Sequence, residues 1–217
     1  MTTRNEAVEG EYIEFSCERM YHGNFTSKMQ WKDLSSGEDI KAKDESSKGT
    51  VKFSIVVEIK PSHNGDSFTC QTFFDKPQYL VNHADNIPVN NNAFNESFTL
   101  PKQTVYYGPH ALAVKFNGQV DTKGGNIFVG ERMTVTADSN PGKRNYTWKN
   151  TTSNEIIATG DSIAITEEMR GKQSLKAVVC NTIPIPSPHT VCSDFTVNVV
   201  VITPEYEGAS MVALSMH

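Results

Sequence analysis

The segment Tyr12-Ile13-Glu14-Phe15-Ser16-Cys17, read together with Trp31 and with Phe68-Thr69-Cys70, decides the fold. Ile13, Phe15 and Cys17 recur at every second position, with Tyr12, Glu14 and Ser16 between them. That period puts one set of side chains on each face of a half-buried strand. A second short strand ends at Trp31 with Met29 on the same face. A third carries Phe68 and Cys70 on one face, directly after the turn residues Ser62-His63-Asn64-Gly65. Between them Val51, Phe53, Ile55, Val57 and Ile59 alternate with Lys52, Ser54 and Glu58, the clearest strand signal in the chain. The pattern is all-β.

A length of 217 residues fits two β-sandwich domains of roughly 100 residues each. The 37% hydrophobic and 21% charged content is that of an ordinary soluble chain, and a net charge of -5 implies no nucleic-acid partner. The six histidines, at 22, 63, 83, 110, 189 and 217, form no HxH or HExxH cluster, so no metal site is expected. Four cysteines coincide with four N-x-[ST] sequons, at Asn24, Asn95, Asn145 and Asn150. Together they favour an oxidising, secretory setting with candidate glycans at those asparagines. Met1 leads straight into polar residues without an apolar leader core, and no apolar run approaches the roughly 20 residues that span a bilayer. The sequence therefore reads as a mature ectodomain, with any membrane anchor beyond His217.

Cysteine, tryptophan and cysteine at these spacings resemble the pattern of an immunoglobulin domain. The resemblance implies two tandem immunoglobulin-like β-sandwiches of the constant-like or intermediate set, with Cys17 and Cys70 bonded between the sheets and Trp31 packed against the bond. The family's tyrosine two residues before the second cysteine is here Phe68, which keeps a ring to pack but no hydroxyl. Val105 to Pro109, then Gly130 to Thr136, Ser139-Asn140-Pro141 and Tyr146-Thr147-Trp148, are similar to motifs of cell-surface adhesion proteins of the carcinoembryonic-antigen and nectin types. Gly108-Pro109 reads as the breaker that ends a strand at a domain boundary. The expected division is 1–107 and 108–203, with 204–217 a C-terminal tail.

Within domain 1, Tyr21 to Ser27 reads as an exposed loop bearing Asn24, and Asn145, likewise just before a tryptophan strand, is expected in the corresponding loop of domain 2. The stretch from Cys70 to the next strand-like run, Phe94 to Leu100, is longer than such hairpins need. Its second half, Asn82 to Asn92, is asparagine-rich; its first half holds Phe73, Phe74, Tyr79 and Leu80 beside Asp75 and Lys76. These four apolar residues are the candidate partner-binding group, aromatic anchors within a polar rim. The competing reading is that the first of them simply continue the strand.

Domain 2 has Ala137 and Ala177 where the family places its intersheet cysteines. With Leu175, Ala177 and Val179 inward, Cys180 points outward; Phe195, Val197, Val199 and Val201 set the same parity for Cys192. A cross-strand Cys180–Cys192 bond is expected, closing a loop that holds Pro184, Pro186 and Pro188. Such a closure contributes about 3 kcal/mol, against about 2 to 5 kcal/mol for the missing intersheet bond. The alternatives are a buried free thiol at Cys180 or a zinc site, and the latter wants four ligands.

No nucleophile elbow, phosphate loop or assignable acid pair is present, and Gly124-Gly125 reads as a turn. No catalytic residue, cofactor or enzymatic activity is expected. The sequence supports an extracellular recognition or adhesion module of a cell-surface protein. Its domain 1 would bind a protein partner on another cell or a second copy of itself. A secreted defence protein and a structural spacer are the competing readings, and the kind of segment or domain joined beyond His217 would separate them.

Overall fold

The structure is a computed structural model and describes residues 5–20, 27–47, 49–74, 95–116, 119–120 and 124–203. The chain divides at Tyr107–Gly108 into two compact units. Each is an all-β sandwich of the immunoglobulin type.

The first unit contains β1 (Glu6–Val8), β2 (Tyr12–Met20), β3 (Ser27–Asp33), β4 (Asp39–Ile40), β5 (Lys43–Asp44), β6 (Thr50–Glu58), β7 (Phe68–Phe74) and β8 (Asn95–Thr99). One sheet runs β2-β6-β5 and the other β4-β3-β7-β8. β1 pairs in parallel with the start of β9 (Thr104–Phe116). The inward faces supply Ile13, Phe15, Met29, Trp31, Val51, Ile55, Val57 and Phe68, all buried. Phe15 sits between Trp31 and Phe68, with ring centroids 6.5 and 5.2 Å away. Tilted pairs of this kind contribute about 0.5–1.5 kcal/mol each beyond the area they bury. Trp31 Nε1 donates to the Phe53 carbonyl at 3.2 Å, so the buried indole keeps its hydrogen bond. Cys17 and Cys70 are bonded across the sheets, their Cα atoms 6.4 Å apart.

β7 does not end at Cys70. It continues through Phe73 and Phe74, paired with β3 as far as Ser27↔Phe74 and with β8 at Phe73↔Asn95. The expected loop excursion from Phe73 is thus corrected: its first two aromatics belong to the strand, because Phe73 pairs with both β3 and β8 and Phe74 with β3. Tyr79 and Leu80 lie outside the described residues.

The second unit comprises the rest of β9, then β10 (Gln119–Val120), β11 (Gly125–Phe128), β12 (Arg132–Asn140), β13 (Arg144–Asn150), β14 (Ile156–Thr159), β15 (Ser162–Ala164), β16 (Gly171–Ile183) and β17 (His189–Ile202). β9, β12 and β15 form one sheet, with β10 on β9; the other runs β11-β17-β16-β13-β14. The core is built from Ile127, Met133, Val135, Trp148, Ile163, Leu175, Ala177, Val179 and Val197. Ala177 is buried and Ala137 packs against the same core. Cys180 and Cys192 face each other on β16 and β17 and are bonded, their Cα atoms 4.1 Å apart.

β9 corrects a second expectation, that Gly108-Pro109 ends a strand. The strand runs through both residues to Phe116. Proline brings no N–H to the ladder; its carbonyl accepts a hydrogen bond from the Ser193 hydroxyl. The alternation slips further on, at His110 and Ala111, both exposed, where Ala111 takes φ 51.

Candidate recognition surface

The two outer faces of the first unit differ in chemistry. On the β4-β3-β7-β8 sheet the burial of Met29 and Trp31 turns Gln30 and Lys32 outward, and the burial of Phe68, Cys70 and Thr72 turns Gln71 and Phe73 the same way. Register aligns Gln30 with Gln71 and Gln71 with Ser97, a row of uncharged hydrogen-bonding groups. The next row holds Lys32, Thr99 and Thr69, the last buried, and the two threonine hydroxyls are 2.9 Å apart. Among the side chains described on this face the charges are Lys32 and Asp39, which pair at 3.8 Å. Phe73 is its half-buried aromatic.

The outer face of the β2-β6-β5 sheet is mixed, with carboxylates and a lysine set among exposed Tyr12, Met20 and Val56. Glu14 and Glu18 on β2 oppose Val56 and Lys52 on β6, and Glu58 opposes Tyr12. Beside them Glu45 is held between Lys43 and Lys52, at 2.8 Å from each. Hydrogen bonds from the Lys43 and Lys52 ammonium groups pull its carboxyl down to about 2.

A third feature lies between the sheets. Arg19 continues the inward parity of Cys17, Glu96 that of Phe98, and the two join as an ion pair across the mouth of the sandwich. Behind them is a cleft of about 220 Å³ lined by the disulfide, Met29, Thr72 and Phe98. Nothing local announces this pair, because its partners come from strands far apart in sequence. The continuing alternation of β2 and β8 is the one available signal.

The sequons fall in different settings. Asn24 lies outside the described residues, and Asn95 is the first residue of β8. Asn145, expected in a loop before the tryptophan strand, stands inside β13, because the ladder with β16 already begins at Arg144↔Asn181. It is exposed. Asn150 ends β13, and its Oδ1 accepts the backbone N–H groups of Thr152 and Ser153. Among the described residues no group of three or more His, Cys, Asp or Glu is placed to hold a metal ion.

No protein-family model matches the sequence, and no curated protein does. Solved structures do match. The full ectodomain of mouse nectin-like molecule 4 aligns at 14% identity and a TM-score of 0.47, over 93% of this chain and 63% of that one. A chain of the complex of Dpr11 IG1 with DIP-gamma IG+IG2 aligns at 14% identity and 0.45, over 91% and 94%. The titin I-band fragment I67–I69 gives 11% and 0.35, over 92% and 63%. This chain thus spans less than two thirds of the length of the nectin-like ectodomain.

Proposed function

We propose that this chain is an extracellular recognition module of a cell-surface adhesion or receptor protein, and that its first unit binds a protein partner, either another chain or a second copy of itself. The observation that supports this reading is the contrast between the two outer faces of that unit. A specific interface concentrates its energy where charge is depleted and aromatic and neutral hydrogen-bonding groups gather, within a polar rim. The face bearing Gln30, Gln71, Phe73 and Ser97 is the one poorer in charge; the opposite face sets Glu14, Glu18, Glu58 and Lys52 among exposed Tyr12, Met20 and Val56, so charge and not apolar content distinguishes the two. The proposed contact region extends to Phe74, Tyr79 and Leu80, which come after Phe73 in the chain. A footprint of roughly 800 Å² per partner is usual for specific complexes. Gln71→Arg places a charge at the centre of the face, and Phe73→Ala removes its aromatic. Each is expected to weaken association about tenfold or more with the melting temperature preserved. The measurements are sedimentation of the purified protein for self-association and adhesion of protein-coated beads to cells for a different partner. Undiminished binding by both stable variants removes this face from consideration.

A further inference from the structure

We propose that Asn145 carries an N-linked glycan that lies over the Cys180–Cys192 disulfide and shields it from thiols. This inference rests on the extracellular part of the functional reading. In a strand, residues two apart share a face, so Asn145 and Thr147 of the sequon project outward together while Tyr146 packs against the core. The Asn145 amide is exposed and enters no hydrogen bond with the described residues, leaving its nitrogen open for the sugar. Asn150 differs, being half-buried with its amide tied into the turn after β13.

Register determines what the sugar would cover. Asn145 stands opposite Cys180 on β16, and Cys180 opposite Cys192 on β17, so the three form one row across the outer face. Adjacent strands are about 4.8 Å apart, which sets the disulfide within the span of the first sugar residues. The neighbouring outward side chains are Thr147, Val178, Thr182, Thr190 and Asp194, none of them large, with Asp194 drawn to Lys176 at 3.0 Å. Cys192 is itself exposed, whereas Cys17 and Cys70 are buried. An attacking thiolate must reach one sulfur to form a mixed disulfide, and a second thiol then releases both cysteines reduced with the reagent oxidised, so access governs the rate.

The test uses the full chain secreted from a eukaryotic cell line. Glycosidase treatment in heavy-oxygen water, with peptide mass mapping afterwards, is expected to mark Asn145 as converted to aspartate. Timed exposure to dithiothreitol with thiol alkylation then compares the glycosylated protein with Asn145→Gln, with Thr147→Ala and with wild type trimmed enzymatically to one sugar. Cys180–Cys192 is expected to open several-fold faster in all three, while Cys17–Cys70 keeps its rate as internal control. An unoccupied Asn145, or equal opening rates with and without the glycan, overturns the proposal. These readouts do not involve Gln71 or Phe73, so failure here leaves the binding assay to decide the proposed function separately.

Discussion

At Gly124 the backbone takes φ +92, and an added Cβ would fall 1.7 Å from the carbonyl oxygen of Asn198. No rotamer relieves a clash with backbone. Gly130 has the same φ of +92 but meets nothing within 4 Å, so it isolates the conformational cost from the steric one. Gly130→Ala is expected to lose about 1 kcal/mol of stability and Gly124→Ala about 3 kcal/mol or more, read by denaturant unfolding. Equal losses would dispose of the steric account. The sequence showed a turn at Gly124-Gly125 and no more, since the constraining atom comes from β17. The same distance hid the Arg19–Glu96 pair and the state of Trp148, which is fully buried with no described partner for its indole N–H. What was legible at single residues was parity: Leu175, Ala177 and Val179 do face inward, because alternation is a local property.

Among the elements, β5 and β6 meet at a cluster where Glu45 lies between two lysines. The folded-state carboxyl titrates near 2 and its ordinary value is 4.5, so the unfolded chain binds the proton more readily in between. The contribution is therefore complete above pH 4.5 and is lost as pH falls toward 2. Glu45→Gln is expected to lower the melting temperature slightly at pH 6, with the difference from wild type vanishing at low pH. It is expected to shrink also in high salt, because surface pairs are screened. A difference independent of both pH and salt would point to packing instead. Long alternating strands such as β2 and β6 were legible as elements, whereas β9 was not. Gly-Pro is a good breaker signal by itself, yet the strand runs through it to Phe116, with the Pro109 carbonyl accepting the Ser193 hydroxyl. Similarly, the apolar run after Cys70 looked like a loop because its length was judged without the partners on β3 and β8.

Each unit of the whole molecule has its own core around a fully buried tryptophan, and that much follows from periodicity and spacing. The two are cross-linked on different principles: one bond joins sheets, the other joins neighbours within a sheet. This difference has a mechanical consequence when the chain is pulled from its ends. Cys17 and Cys70 are 53 residues apart, so an oxidised first unit withholds about 180 Å of contour at roughly 3.4 Å per residue. Cys180 and Cys192 are 12 apart and withhold only about 40 Å by the same measure. Single-molecule stretching should therefore show two unequal extension steps, the shorter one lengthening by about 180 Å on reduction. Equal steps before reduction would contradict the pairing. Under load the second unit would play out nearly its full length, while the first would stay a short, knotted-off segment that stops the chain from running.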